Sequence, residues 1–331
     1  MPDQEPLTQA EKMNRRSFLQ RLGLLGVGVA AGGCALAEEP AAETRLTSQE
    51  GEMPMRQLGR TKEKVSLLCV GGFHLGLLPT EEEAVRLVRE AVDAGVNFMD
   101  NAWDYHAGKS ERWMGKGIKG IRDKVFLMTK TLSGDRSYES GMRQLEESLE
   151  RLAVDYLDLW QVHAISDGDA QKMFRKGGVV EALVKAREQG RVRYIGFTGH
   201  RSIKAFLDIL KEKYPFDTCQ LPLNCFDYNF KSFEKEVLPE LVKQKIGVIG
   251  MKSMGGTSKA LDEKAVTVSE AINYTLSLPI STLVVGMQSL EMLRQNIRTV
   301  KDFKPLKPAH MQALRDRVKP VSDGRFEWYK S

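Results

Sequence analysis

From residue 53 onward the chain alternates short apolar runs with amphipathic stretches of helical length, and it completes eight such pairs. The runs are Leu68–Gly71, Asn97–Asp100, Val125–Thr129, Leu157–Val162, Tyr194–Thr198, Thr218–Pro222, Val248–Met251 and Thr282–Val285. None alternates cleanly between apolar and polar residues, as expected of parallel strands buried on both faces. The first helical stretch is opened by Thr80-Glu81-Glu82-Glu83, which reads as a capping box with acids at the positive end of the helix dipole. Others span about Ser137–Leu152, Val179–Gln189, Ser202–Lys213, Phe233–Gln244, Ser269–Leu278 and Ser289–Val300. Gly190 and Gly247 stand where helix exits favour glycine. A hairpin, Arg56–Leu58 with Val65–Leu67, precedes the first pair. Eight pairs in roughly 250 residues predict a (β/α)8 TIM barrel behind a short N-terminal β-hairpin. An open doubly wound sheet is the alternative, but it rarely needs eight pairs.

Residues 1–52 read differently. Arg15-Arg16-Ser17-Phe18-Leu19 leads into a Gly- and Ala-rich apolar stretch from Leu22 to Ala37 that ends in Ala35-Leu36-Ala37. That order is the plan of a cleavable export signal. The paired arginines and low hydrophobicity resemble a twin-arginine (Tat) signal, which implies the Tat export machinery as a partner and a periplasmic or cell-envelope location. A rival ending is lipidation at Cys34, since Ala31-Gly32-Gly33-Cys34 loosely resembles a lipoprotein box. Gly26-Val27-Gly28-Val29-Ala30-Ala31 fits a dinucleotide fingerprint, which has meaning only between a strand and a helix; here a signal's basic region precedes it and a cleavage site follows, so it is set aside. The domain reading is thus a signal at 1–37, an exposed linker at 38–52 and the barrel at 53–331. A net charge of +5 with both signs interspersed gives no reason to expect a nucleic-acid partner. Past residue 50 no apolar run nears the roughly 18 residues of a membrane span.

In such a barrel, chemistry sits at the C-terminal ends of the strands. Asp100 ends the second strand, with Tyr105 in its loop; Lys130 ends the third and His163 the fourth. Thr198, Gly199 and His200 follow the fifth, Gln220 and Asn224 bracket the end of the sixth, and Met251 with Lys252 closes the seventh. An acid, a phenol, an amine and an imidazole therefore converge on one rim. A phenol can give a proton at neutral pH, and a neighbouring ammonium is expected to lower its pKa toward that of a useful general acid. Asp100 would keep Lys130 charged, and His163 would donate a hydrogen bond to a carbonyl oxygen and orient it. Together they would stabilise an alkoxide formed by hydride attack. No side chain supplies hydride, so a nicotinamide cofactor is implied.

Gly95-Val96-Asn97-Phe98-Met99-Asp100-Asn101-Ala102-Trp103-Asp104-Tyr105, continuing through Gly108, Ser110, Glu111 and Gly115, resembles the first long motif of the aldo-keto reductases. Val125–Lys130 and Tyr156–His163 are similar to the next two, and Arg56–Thr61 is similar to the family's opening hairpin. The resemblance implies Tyr105 as proton donor, Asp100 and Lys130 as the residues that tune it, and His163 as the group that orients substrate. On the cofactor side it implies Thr198, Gln220, Met251, Lys252, Gly286, Gln288, Arg294 and Asn296. Here the chain departs from the family pattern. Thr198-Gly199 replace Ser-Asn, with His200 as a stand-in for the lost amide. Met251 replaces an aromatic ring. Gly286 and Met292 fall where many members grip a 2′-phosphate with Lys and Arg, which leaves Arg294 to compensate. The resemblance favours NADP(H) over NAD(H), and a small carbonyl or alcohol as substrate.

Two other classes fit parts of the pattern. A Schiff-base lyase would use Lys130 or Lys252, and a non-catalytic nicotinamide-binding scaffold would retain the rim residues without turnover. Five histidines show no i, i+4 ligand pair, so no metal site is expected, and the four cysteines form no CxxC pair. Trp103, His106, Trp160, Phe226 and Tyr228 are the candidate walls of an apolar substrate pocket, and Phe326–Tyr329 a candidate cover.

Overall fold

The structure, a computed structural model, describes residues 51–132 and 134–331. The expected signal, Cys34 and all but the last two residues of the expected linker lie outside the described residues. Two strands, β1 (Met55–Gln57) and β2 (Lys64–Ser66), form an antiparallel hairpin one residue earlier than the sequence pattern suggested. The remaining strands are β3 (Leu68–Gly71), β4 (Phe98–Asp100), β5 (Phe126–Thr131), β6 (Leu157–Val162), β7 (Val192–Thr198), β8 (Thr218–Pro222), β9 (Gly247–Met251) and β10 (Thr282–Val285). Each pairs in parallel with the next, and β10 pairs with β3 to close a barrel. The expected architecture is the observed one.

Helices cover the outside: α1 (Glu81–Asp93), α2 (Lys109–Ile118), α3 (Tyr138–Leu152), α4 (Val179–Glu188), α5 (Ile203–Lys211), α6 (Phe233–Glu236), α7 (Leu238–Lys243), α8 (Val268–Leu276) and α9 (Leu290–Lys301), followed by α10 (Pro308–Val318). The sixth pair's helix is broken into α6 and α7, with Pro239 in the first turn of α7, where its missing N–H costs nothing. Thr80 caps α1 by accepting from the Glu83 N–H, while a reciprocal capping box forms at Thr267 and Glu270 of α8. Gly190 adopts a left-handed φ of +71° after α4, as a helix exit should. Gly247 instead opens β9. Its role is close approach, because a Cβ there would meet the Gly59 nitrogen at 3.0 Å.

That contact belongs to the hairpin, which plugs the N-terminal end of the barrel. Leu58 and Val65 are fully buried in one cluster with the interior side chains Cys69, Phe98, Phe126, Met128, Leu159 and Ile249. A second, larger core fills the layer between strands and helices. Trp160 lies there, fully buried, with its ring facing Gly141 of α3 and Val179 of α4 nearby. It is a packing residue of the outer layer and not a wall of the substrate pocket.

Candidate active site

At the opposite, C-terminal end of the barrel, β4, β5 and β6 bring Asp100, Lys130 and His163 together, although 63 positions separate the first from the last. Lys130 is buried, and all three of its ammonium hydrogens have acceptors. They go to Asp100 Oδ1 at 2.5 Å, the Asn101 carbonyl at 2.7 Å and the Tyr105 hydroxyl at 3.3 Å. Burial alone would pull its pKa down; Asp100 and Tyr105 outweigh that and hold it above the ordinary lysine value. An amine so held is a fixed cation, which removes Lys130 as a Schiff-base nucleophile.

The loop behind Tyr105 is strained. His106 and Ala107 take left-handed φ values of 51° and 53°, and Gly108 continues at 78°. Left-handed conformations at residues with a Cβ are costly and are tolerated where surrounding contacts over-determine them. Those contacts are visible. His106 Nε2 meets the Phe73 carbonyl at 2.8 Å, and Ser110 Oγ donates to the Gly72 carbonyl at 2.6 Å. Buried Glu111 accepts from Thr129 Oγ1 at 2.7 Å and from Arg151 at 3.2 Å. The turn sets the Tyr105 ring over the Lys130 ammonium, edge-on to Phe73 and to His163.

Burial pushes the Tyr105 phenol up to about 12, with Lys130 pulling it down only in part. The ammonium lowers this pKa as expected, but desolvation of a fully enclosed phenolate is the larger effect and leaves it raised. At neutral pH the phenol is protonated. His163 is mostly buried, and its Nδ1 lies 3.0 Å from Asp104 Oδ1.

The other half of the rim is built from β7 to β10. Thr198 and Gln220 face each other in register and are both buried. Gln220 Nε2 lies 3.4 Å from Asp100 Oδ1 and 3.8 Å from the Met251 sulfur, while its Oε1 is buried without a partner among the described residues. Lys252, at a left-handed φ of 59°, holds its ammonium over the rings of Tyr329 and Trp328 at 5.0 and 5.6 Å. Burial lowers its pKa, and no ion pair with a described carboxylate holds it charged. His200 sits edge-on to Tyr329, its pKa lowered to about 4 by burial and by Lys252. Gly286 is matched to His74, whose ring a Cβ would strike at 2.1 Å. Asn296 is buried, Gln288 is exposed, and Arg294 reaches outward to pair with Glu90 of α1. The structure thus puts Gln220 beside Asp100, with Thr198 in register next to it and Met251 against its amide, sets Lys252 over the tail rings, and directs Arg294 to a neighbouring helix instead.

The tail completes this half. The Gly256 N–H donates to the Phe326 carbonyl at 2.7 Å, and Trp328 Nε1 donates back to the Gly256 carbonyl at 3.2 Å. Lys330, wholly buried, bridges Asp227 at 2.5 Å and Glu327 at 2.9 Å. Asn224 donates to the Lys252 carbonyl, Glu327 and the Tyr329 hydroxyl, so it is a strut between loop and tail.

The family model for the aldo/keto reductase family matches residues 67–270. An L-galactose dehydrogenase of Arabidopsis thaliana is 30% identical over 292 residues, covering 77% of this chain and 90% of that protein. The chain belongs to the aldo/keto reductase family. An uncharacterized oxidoreductase of Bacillus subtilis, YrpG, is 27% identical over 316 residues, covering 75% of this chain and 91% of that protein. The holo form of an aldo-keto reductase from Bacillus halodurans superposes with a TM-score of 0.68 at 24% identity, covering 80% of this chain and 96% of that one, which shows the shared fold.

Family and fold together point to an NAD(P)H oxidoreductase acting on carbonyl or CH–OH groups. The rim fits such a cofactor in one testable respect. The amide nitrogen of Gln220 is turned to Asp100, and its oxygen, buried without a partner among the described residues, is what a carboxamide N–H donor would satisfy. Several pocket walls proposed from sequence lie elsewhere in this aldo/keto reductase. Trp103 Nε1 donates to Glu147 on α3, Phe226 packs on Phe326, and Tyr228 lies under Arg315. Phe73, nearly half exposed, packs edge-on to Tyr105 and against His106. Its position directly after β3, at a barrel strand's C-terminal end, was the available signal.

Proposed function

We propose that Tyr105 is the proton donor of a carbonyl reductase in which Asp100 and Lys130 tune the phenol and His163 binds substrate. The observation that carries this reading is the Lys130 ammonium, fixed by Asp100 at 2.5 Å and donating to the Tyr105 hydroxyl at 3.3 Å. Since Lys130 donates to that oxygen, the phenol's own hydrogen is free to point at a substrate oxygen. As negative charge grows on that oxygen the Tyr105 proton crosses, and the ammonium stabilises the phenolate left behind. NAD(P)H, when bound, supplies the hydride that no side chain can. Thr198 and Gln220 would hold its carboxamide, Met251 would pack on its ring, and Lys252 with Gly286, Gln288 and Asn296 would line the path toward its phosphates.

The preference for NADP(H) rests on the family resemblance. NAD(H) is the second reading, favoured by Arg294, whose guanidinium is engaged by Glu90. We further propose Tat export through Arg15-Arg16, with the cofactor loaded before export and retained, and cleavage after Ala37 ahead of lipidation at Cys34. Transport of a reporter fused to residues 1–52 should stop when both arginines become Lys.

The decisive experiment identifies the nucleotide released from denatured protein, titrates NADPH and NADH into the remainder, and compares Tyr105→Phe. The variant should keep its cofactor and lose roughly 10²–10⁴-fold in kcat. Because the phenol ionises only near 12, wild-type kcat should show no loss of the Tyr105 proton through the neutral range. Full activity in Tyr105→Phe would remove the proposed role, and no binding of either nucleotide would leave the scaffold reading.

A further inference from the structure

Lysines that the sequence scatters come together at the hairpin end of the barrel, its floor. Val65 points into the barrel, so Lys64, its neighbour on β2, points away from it, and Lys62 lies in the exposed turn. The Arg60 N–H donates to the Lys245 carbonyl at 3.1 Å, which brings the loop before β9 against that turn. On the other flank the Arg56 guanidinium of β1 lies 5.7 Å from the centre of the Phe303 ring, and the Leu306 N–H donates to Ser277 Oγ beyond α8 at 2.8 Å. Lys304 and Lys307 stand on that link between α9 and α10. All five lysines are exposed, and none forms an ion pair with a described residue. Three segments, 60–64, 243–246 and 301–307, make up this face. Their acids are Glu63, already taken by Arg193 and Tyr194, and the exposed Asp302. Their other cations, Arg60 and Lys243, are paired with Asp217 and Glu240. A net charge of +5 with interspersed signs conceals this excess, because only the fold assembles the three segments.

We propose that this face docks on the anionic headgroups of a lipid bilayer, so that the barrel lies floor-down on a membrane with its mouth turned to solvent. The proposal goes beyond the reductase reading and does not depend on it. Two observations favour a bilayer over other acidic partners. The described chain enters at this same end: Met53 packs on the turn before β4, where a Cβ on Gly95 would meet it at 2.9 Å. The 13 residues 38–50 separate that entry from the apolar stretch Leu22 to Ala37, and fully extended they span at most about 45 Å. An attachment made by that stretch, or by a lipid on Cys34, therefore tethers the floor and not the mouth; after cleavage the lysines are what remains to hold the barrel. The second observation is the residue type. All five are lysines, point charges on flexible stems that suit a fluid layer of headgroups, whereas a fixed phosphate geometry favours the planar fork of arginine. Each lysine near an anionic surface strengthens partition by up to about fivefold, and the attraction fades within a Debye length.

The test floats the full chain with vesicles of phosphatidylcholine alone and with vesicles of phosphatidylcholine and phosphatidylglycerol. Partition onto the anionic vesicles should be stronger by about tenfold or more, and should fall to the neutral level as salt is raised. The combined variant Lys62→Gln, Lys64→Gln, Lys245→Gln, Lys304→Gln and Lys307→Gln should lose the preference, while Lys304→Gln alone should lower it by up to about fivefold. A charge-matched variant at the mouth end, Lys109→Gln, Lys172→Gln, Lys176→Gln, Lys204→Gln and Lys259→Gln, should keep it. Exposed substitutions leave the fold in place, and an unchanged melting temperature of the floor variant separates lost docking from unfolding. Equal partition onto neutral vesicles would assign the binding to the apolar stretch and overturn the proposal. Equal losses in the two combined variants, or no binding to either vesicle, would overturn it as well. Tighter binding to duplex DNA than to the anionic vesicles at the same salt would do so too, and would make the face a nucleic-acid surface.

Discussion

The two halves of the rim are built on opposite plans. On the side of β4 to β6 the charged groups around Tyr105 are paired within the protein: the Lys130 ammonium is fully used, Glu111 anchors the turn from below, and Asp104 pairs with His163, while Asn101 Nδ2 and Gln161 Oε1 are buried without a partner among the described residues. On the side of β7 to β10 the groups are left over. Among the described residues the Gln220 oxygen is buried without a partner and Lys252 faces rings instead of a carboxylate, while the space beside Gly286 is taken by the His74 ring. In the proposed reading the first half is preorganised for chemistry, and the second carries groups that a bound cofactor would meet. What closes the second half from within the chain is the tail, tied down by a buried lysine between two acids.

The tail is where the comparison can be broken most forcefully. Lys330→Met leaves Asp227 and Glu327 buried without their cation, and should cost about 3–5 kcal/mol of stability, read from the urea midpoint. If the tail belongs to the receiving half, nucleotide should also dissociate faster from this variant at temperatures where it is folded. A lower midpoint with unchanged dissociation would make the tail a structural strap only. Next in size, Gln220→Leu should weaken nucleotide binding by about 1–3 kcal/mol in a fluorescence titration, since an amide donor would meet carbon where it met oxygen. Equal affinity in that variant would mean the orphaned oxygen is not part of the cofactor site. The smallest effect is expected from Arg294→Ala. Its exposed pair with Glu90 is a surface ion pair screened by solvent, so the urea midpoint should barely move. The ratio of NADPH to NADH affinity should not move. A fall in NADPH affinity alone would show that the arm leaves Glu90 to meet a 2′-phosphate.

The halves also differ in how much of them could be read from the chain. The convergence of Asp100, Tyr105, Lys130 and His163 was legible because each ends a strand or follows one, and the barrel rule converts that into proximity. The cofactor half was not, since the role of Arg294 depends on which side of α9 faces α1, and the tail network joins residues 103 positions apart. Trp160 was misplaced for a similar reason: strand register, not residue type, decides whether a side chain looks inward or toward the helices. α2 escaped the helical pattern because Gly115 and Gly117 lower its propensity, yet both are needed for close packing, against the Leu152 carbonyl and Val88. Asp104 carried no signal of its own. Its meaning appears only once the left-handed turn folds it back onto a histidine 59 residues away.

The hairpin at the far end of the barrel has a consequence for traffic. With Leu58 and Val65 wedged among the interior side chains, and Gly59 against Gly247, the barrel has a sealed floor. Whatever reaches Gln220 and whatever reaches Tyr105 must enter by the same mouth and leave by it. Two visitors sharing one doorway form a queue, in which the one seated deeper arrives first and departs last.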